Sequence, residues 1–449
     1  MSWETKLMRT VRCQNDPVLG TLANLLVAVS SEGGNIGEMQ LIKEDHRRVV
    51  RDITIFADDL AHFDRILAAM SANPGTRILE VRDEVLALHL KGKIAVRSRV
   101  NIDSIDTLRR VYTPGVAEVC MRIHADPALA RQYTAISHLV AIVTDGTAIL
   151  GLGDIGPVAG MPVMEGKAML MESLAGLSGM PILVNTKDTD EIIDTVCRIS
   201  LTFGAIQLED ISAPRCFEIE ERLQDCLDIP VMHDDQHGTA VVSTAALTSA
   251  CRMAGIDIGK AVIGQIGLGA AGTAISQMLM SLTGNPVYGA DINPGALERL
   301  RQAGGKPSSL AEVMQYCDIV VSTTGRPGLI KPEMVRKGQI ILALSNPNPE
   351  IQPEAALAAG AIFAADGKSV NNVMGFPGIL RGAMDANVRR ITREMYIAAA
   401  ETIAAHTPSG DLMPNPLDKR VHRAVATAVA KKAIEQGLAR AEFVPYVNE

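Results

Sequence analysis

Aromatic residues are scarce in this chain: seven Phe, six Tyr and one Trp make up 3% of 449 residues. So thin a supply argues against a surface that stacks nucleic-acid bases. Blocks of like charge are missing too. The 43 basic and 51 acidic residues are mixed along the chain and leave a net charge of −8. Neither nucleic acid nor an anionic membrane is therefore expected as a partner. No C-x-x-C occurs among the seven cysteines, Cys13, Cys120, Cys197, Cys216, Cys226, Cys251 and Cys317. That excludes a zinc ribbon, and the odd, scattered set gives no disulfide framework. No apolar run reaches the length of a membrane span, because polar residues such as Asn24 interrupt the candidates. The opening MSWETKLMRT lacks the apolar core of a signal peptide. A soluble cytoplasmic protein with reduced thiols is expected.

Apolar residues are plentiful, at 47% of the total. They suffice for full-sized cores, and the length calls for two or three domains. The organising stretch runs from Gln207 to Ala240. Two short apolar runs, Leu201 to Leu208 and Ile229 to Met232, each stop at acidic pairs, Glu209-Asp210 and Asp234-Asp235. Such runs read as buried parallel strands, and ligands in open α/β sheets bind beyond the carboxyl ends of such strands. One Asp-Asp pair is most often a solvated turn. Two acidic pairs at neighbouring strand ends would repel one another unless a cation sat between them. Oxygen ligands alone, with no Cys or His at metal spacing, suit Mg²⁺ or Mn²⁺ rather than zinc.

Residues 1–90 read as a separate α+β domain. Met8 to Cys13 is a strand, and Asp16-Pro17 opens a helix with the apolar face Leu19, Leu22, Leu25 and Leu26. Gly33-Gly34-Asn35 ends it, Val49 to Phe56 is a strand, Asp59 to Met70 a second helix, and Arg77 to Val81 closes the pattern. The order is that of the ferredoxin-like split βαβ unit. With N-D-P-V-L-G-T-L-A early and G-G-N-I-G after the first helix, it resembles an ACT domain. The resemblance implies a regulatory module that takes a small effector, often an amino acid, at a subunit interface. A packing or oligomerisation domain without ligand stands beside that reading.

Residues 91–240 carry Y-T-P-G-V-A at Tyr112 to Ala117, then I-L-G-L-G-D-I-G-P and M-E-G-K-A. Gly151, Gly153 and Gly156 satisfy G-x-G-x-x-G, but no acid ends a following strand, so a tight loop is expected. Lys167 is read near the start of the next helix, where the positive end of the dipole would lower its pKa as a general base needs.

Residues 241–449 read as a Rossmann domain with C-terminal helices. Ala261 to Ile266 is a strand, G-L-G-A-A-G at Gly267 to Gly272 opens a helix, and Val287 to Ala290 ends at Asp291. This is the full dinucleotide fingerprint, with Gly267, Gly269, Ala270, Ala271 and Gly272 at the pyrophosphate and Asp291 on the ribose hydroxyls. An acid there, with no arginine following, favours NAD over NADP. Later strand ends place Thr324 and Asn346 for cofactor or substrate contacts, and S-V-N-N-V-M-G-F-P-G adds Asn371 and Asn372.

Taken together, Y-T-P-G-V-A, I-L-G-L-G-D-I-G-P with M-E-G-K-A, L-E-D-I-S-A-P-R-C-F-E-I-E, H-D-D-Q-H-G-T-A, S-N-P-N-P-E and N-N-V-M-G-F-P-G resemble the malic enzyme family in its short bacterial form. The ACT-like domain is an addition to that pattern. The resemblance implies oxidative decarboxylation of L-malate to pyruvate. Tyr112 would be the general acid and Lys167 the general base, with Asp234 tuning it. Glu209, Asp210 and Asp235 would hold the divalent cation, and Asn346 and Asn372 would contact malate, with Asn371 nearby. A malolactic-type enzyme and a non-catalytic NAD- and effector-sensing protein are the alternatives. One departure matters. Larger members carry an arginine for a substrate carboxylate where this chain reads Thr147-Ala148, so that cation is unassigned and could come from a second subunit of the expected dimer or higher homo-oligomer.

Overall fold

The computed structural model describes residues 7–149 and 152–442. Its first unit, residues 1–95, begins with β1 (Leu7–Asn15), α1 (Thr21–Ser31), β2 (Asn35–Asp45) and β3 (Arg48–Ala57). It ends with α2 (Leu60–Ala72), β4 (Thr76–Arg82) and the short α3 (Glu84–His89). The strands form one antiparallel sheet in the order β2-β3-β1-β4, the split βαβ arrangement. Its core joins Val11 and Cys13 of β1 and Ile53 and Ile55 of β3 to Leu25 and Val29 of α1 and Ile66 and Met70 of α2. The first helix starts later than Asp16-Pro17 suggests. Gly20 stands at φ 90°, a left-handed conformation that interrupts a right-handed helix, and Leu19 ahead of it is fully exposed. The face is set by Thr21, Leu25 and Val29 instead. On the sheet, buried Asp52 accepts from Arg12 Nε at 2.7 Å and from Arg82 Nη2 at 2.6 Å.

The second unit, residues 96–449, opens with three short helices, α4 (Ile105–Val111), α5 (Val116–Ala125) and α6 (Ala130–Tyr133). A four-stranded parallel sheet follows in the order β6-β5-β7-β8. Its strands are β5 (Leu139–Thr144), β6 (Ser178–Leu183), β7 (Ala205–Leu208) and β8 (Val231–His233). The crossovers are α7 (Pro157–Ala175), α8 (Thr189–Ile199) and α9 (Arg215–Cys226). Near-continuous burial of β5, β7 and β8 is what a parallel sheet covered on both faces requires.

The long helix α10 (Asp234–Ala254) leaves this sheet, runs through residue 240 and leads to a six-stranded parallel sheet. That sheet holds β9 (Ile263–Ile266), β10 (Tyr288–Ala290), β11 (Lys306–Pro307), β12 (Ile319–Ser322), β13 (Ile340–Ala343) and β14 (Phe363–Asp366). The order β11-β10-β9-β12-β13-β14 reverses between β9 and β12, which opens a crevice beyond their carboxyl ends. The crossovers are α11 (Ala270–Thr283), α12 (Pro294–Gln302), α13 (Leu310–Tyr316) and α14 (Pro353–Ala358). Three closing helices, α15 (Phe376–Asp385), α16 (Arg393–Ala405) and α17 (Lys419–Glu435), pack against one another, α7 and α10. Among the described residues no helix is long and apolar enough to cross a membrane.

Candidate active site

Strands β7 and β8 lie side by side with Leu208 opposite His233, so their carboxyl ends deliver Glu209-Asp210 and Asp234-Asp235 to one place. Asp210 takes φ 54°, a left-handed conformation that a short polar side chain tolerates better than most. That turn aims its N–H at Asp235 Oδ2, 2.9 Å away, while its carbonyl accepts from Ala148 N at 2.9 Å. One carboxylate oxygen each from Glu209, Asp210 and Asp235 lie within 4.8 Å of one another. Asp234 and Asp235 occupy the first turn of α10, where the helix dipole favours negative charge.

Lys167 faces this cluster from the middle of α7, not from its start. The helix begins at Pro157 and carries Pro162 inside it. The expected help from the helix dipole is therefore absent, and the lysine pKa is shifted the other way. Burial alone would lower it, but Asp234 and Glu209 override burial and raise it. Lys167 Nζ donates to Asp234 Oδ2 at 2.5 Å and stands 3.0 Å from Glu209 Oε1. The Phe376 ring covers it at 4.5 Å. Asn372 Nδ2 donates to the same Asp234 oxygen at 2.8 Å, and Gln207 Nε2 holds Glu209 Oε2 at 2.7 Å. Burial pushes the Glu209 carboxyl up to about 7, and the Asp234 and Asp235 carboxyls up to about 6 each, since one ammonium cannot offset so many neighbouring acids. The centre carries more negative charge than its own residues neutralise.

Two supporting acids escaped the sequence reading. Glu220 of α9 is buried and accepts from His233 N at 2.8 Å, Gln236 Nε2 at 3.0 Å and His237 Nε2 at 3.0 Å, which pins the start of α10. His237 in turn stacks on Tyr396 with ring centres 4.7 Å apart. Burial would raise the Glu220 carboxyl, but His237 and His233 lower it on balance. A signal existed: Glu220 falls on the helical stripe of Cys216, Ile219 and Leu223, all buried. The other acid is Asp145 at the end of β5. It binds Arg215 Nη2 at 2.7 Å and the Thr147 hydroxyl at 2.6 Å, and Thr147 Oγ1 accepts from Ser212 N at 3.0 Å. Thr147 thus ties the loop after β5 to the loop carrying Asp210. Of the neighbouring glycine motif, Gly151 lies outside the described residues.

At the end of β9, Gly267 turns at φ 86°, a side chain on Gly272 would strike the Gly267 carbonyl, and Gly269 opens onto empty space. These are the turn, the close helix packing and the clear approach that a pyrophosphate site needs, with Ala270 and Ala271 starting α11 behind it. Asp291 accepts from Leu268 N at 2.6 Å and Asn293 N at 2.7 Å. At the next strand end Thr324 donates its N–H and hydroxyl to buried Glu350, at 2.6 and 2.8 Å, and Ser345 Oγ joins them at 2.6 Å. Glu350, the last residue of S-N-P-N-P-E, also went unread. Asn346 reaches the Gly367 carbonyl at 3.4 Å. Asn371 accepts from Val373 N at 3.0 Å, the local turn bond usual for asparagine.

Tyr112 is the exception. It caps α4 with 66% of its surface exposed, and no hydrogen bond or ring contact joins it to Lys167 among the described residues.

The family described as malic enzyme, N-terminal domain, matches residues 91–224. NAD-dependent malic enzyme 1 of Bacillus subtilis is 56% identical over 430 residues, 95% of this chain and 98% of that protein. The chain belongs to the malic enzyme family. A second family member from Bacillus subtilis, a bifunctional malic/malolactic enzyme, is 43% identical over 82% of this chain and 96% of its own. Among solved malic enzymes, that of Pyrococcus horikoshii superimposes with a TM-score of 0.76 at 40% identity, over 80% of this chain and 92% of its own. The NAD-dependent malic enzyme of Thermotoga maritima gives 0.73 at 36% identity, over 78% and 99%.

Proposed function

We propose that this malic enzyme oxidatively decarboxylates L-malate to pyruvate and CO₂ with NAD⁺ as hydride acceptor. The observation that carries the reading is Lys167, held by Asp234 and Glu209 beside three convergent carboxylates at adjoining strand ends. Glu209, Asp210 and Asp235 fit a hard divalent cation, Mg²⁺ or Mn²⁺, because they offer oxygen donors only and surplus negative charge. Such a cation, when bound, supplies Lewis acidity at the malate C1 carboxylate, C2 hydroxyl and developing enolate.

The chain's own residues divide the remaining work. Lys167 accepts the proton of the C2 hydroxyl, which requires that the carboxylate charge now raising it be engaged elsewhere. Asp234 fixes the Lys167 ammonium and the Asn372 amide on one oxygen, so base and substrate-binding amide move together. Asn346 and Asn371 complete the substrate side, and Tyr112 supplies the proton to C3. The glycine loop Gly267 to Gly272 takes the pyrophosphate, Asp291 the ribose hydroxyls, and Thr324 the nicotinamide side, in NAD by preference to NADP. In this reading residues 91–240 form the catalytic part, residues 241–449 a Rossmann domain, and residues 1–90 an ACT-like regulatory domain for a small effector. The split βαβ topology supports the last assignment. A homo-oligomer in the cytoplasm is the proposed setting, and the seven free thiols fit a reducing compartment.

A malolactic outcome, malate to lactate with the cofactor retained, is the second reading because one family member carries both activities in its name. Mixing the protein with L-malate, NAD⁺ and Mn²⁺ separates them. Equal free NADH and pyruvate is the expected result, and lactate without free NADH would overturn it.

A further inference from the structure

Outside the cluster around Lys167, four acids are buried among the described residues: Asp52, Asp145, Glu220 and Glu350. Three of them face a cation or an imidazole. Asp52 has Arg12 and Arg82, Asp145 has Arg215, and Glu220 has His237. Glu350 has none of its surface exposed and makes no ion pair among the described residues. A charge kept from water without a countercharge is costly, so its place in the fold bears on what it is there to meet.

Strand register fixes that place. Ser322 of β12 lies opposite Ala343 of β13, so Thr324 and Ser345 follow neighbouring strand ends. Glu350 Oε1 takes the Thr324 N–H at 2.6 Å, the Thr324 hydroxyl at 2.8 Å and the Ser345 hydroxyl at 2.6 Å. Ser345 N approaches Oε2 at 3.4 Å. Both hydroxyls are held in turn by backbone N–H groups. Arg326 N donates to Thr324 Oγ1 at 3.1 Å and Gly325 N to Ser345 Oγ at 2.8 Å. The hydroxyl protons therefore turn toward Glu350, which accepts at every contact, as a carboxylate does. A negative charge is locked behind both loops by hydrogen bonds alone.

Topology indicates which part of a dinucleotide meets those loops. In the proposed function the pyrophosphate turn follows β9 and the ribose acid Asp291 follows β10, so one nucleotide half lies on the β10 side of the crevice. The other half, which carries the nicotinamide, falls on the β12–β13 side. That ring is cationic in NAD⁺ and neutral once it has taken up a hydride. We propose that Glu350 is a positioning residue whose buried charge favours the cationic ring of NAD⁺ over the neutral ring of NADH. It holds Thr324 and Ser345 in place, and its charge acts through a water-poor interior that screens it little. Capture of NAD⁺ and release of NADH is the direction that oxidative decarboxylation needs, whereas retention of NADH leads to lactate. The proposal rests on the NAD reading of this site and adds the group that tells the two redox forms apart.

Calorimetric titration of the whole chain with NAD⁺ and with NADH, in the absence of malate, tests it. Wild type should bind NAD⁺ at least as tightly as NADH. Glu350→Gln, close in shape but without the charge, should shift the ratio of the two dissociation constants about tenfold toward NADH. Glu350→Asp, which keeps the charge, should retain the wild-type ratio even where both affinities fall. An unchanged ratio in Glu350→Gln, or an equal loss of both forms, would reduce Glu350 to a structural tie and overturn the proposal. A shift in Glu350→Asp as large as that in Glu350→Gln would do the same. Should Glu350→Gln fail to fold, the wild-type ratio decides: a preference of about tenfold for NADH overturns the proposal, and a preference for NAD⁺ supports it. A wild type that binds neither form would overturn the NAD reading itself. One that binds both with the expected ratio, yet makes no product from malate, would overturn only the enzymatic reading.

Discussion

Two clusters of carboxylate and cation in this chain have opposite arithmetic. In the N-terminal unit one carboxylate, Asp52, is shared by two arginines, Arg12 and Arg82. At the candidate active site one lysine is shared by Asp234 and Glu209, with Asp235 and Asp210 close behind. The protonation states answer accordingly. The Arg12 and Arg82 guanidiniums hold Asp52 below its ordinary range against the pull of burial, whereas burial lifts Glu209, Asp234 and Asp235 well above theirs. The first cluster is complete and can only stabilise. The second holds more carboxylates than its one ammonium offsets, which is the charge balance the proposed cation would complete.

The most damaging way to break that contrast is to remove the lysine or a carboxylate of the second cluster. Lys167→Ala should lower turnover of L-malate by about 10²–10⁴, measured as NADH absorbance under saturating Mn²⁺. Asp210→Ala should abolish Mn²⁺-dependent turnover while NAD⁺ binding by titration stays near wild type; full activity would remove Asp210 from the proposed cation site. The arginines of the first cluster have no such role, so Arg12→Ala should keep its turnover.

A milder perturbation is pH. Glu209 at about 7 lies above its ordinary 4.5, so the metal-free folded chain binds more protons than the unfolded chain between those values. Its contribution to stability is therefore lost as pH rises from about 4.5 to about 7. Asp52 behaves in the reverse sense: its stabilisation is present above the ordinary 3.8 and is lost as pH falls toward the lower folded value. Thermal melts of metal-free protein across this range should show the first slope shrink in Glu209→Gln, most clearly between pH 6 and 7 where Asp234 and Asp235 contribute least, and the second vanish in Asp52→Asn. Mn²⁺ competes with the same protons, so its stabilising effect should grow as pH rises toward 7. A Mn²⁺ effect independent of pH would contradict the charge surplus.

Asp291 lies between the extremes, satisfied by two backbone N–H groups rather than by cations. Asp291→Ala should cut the preference for NAD⁺ over NADP⁺ by about tenfold, read as the ratio of kcat/KM values. The smallest effect belongs to Asp52→Asn, which should lower Tm by ~3 °C and leave KM for malate unchanged.

What could be read from sequence was whatever depends on chain ends and backbone. The stops at Glu209-Asp210 and Asp234-Asp235 mark strand termini because apolar runs must end where burial ends, and G-L-G-A-A-G marks a turn that side chains would obstruct. Lys167 was misplaced within its helix because Pro162 reads as a start signal, although the helix starts at Pro157 and tolerates the second proline inside. Glu220 and Glu350 were missed because a buried acid looks like a surface one until its donors are brought in from elsewhere. The exposure of Tyr112 could not be read at all, since nothing in Y-T-P-G-V-A says which surface the bend will meet.

The run from residue 96 to residue 139, in which no residue is buried and Val96, Ile105 and Leu108 stand exposed, also bears on how the protein must be made and kept. If the proposed homo-oligomer covers that apolar surface, folding yield is tied to chain concentration. Dilute chains would linger with that surface exposed and would be prone to aggregation. Dilution below the dissociation constant of that oligomer would then cost solubility, and thermal midpoints would climb with protein concentration by mass action.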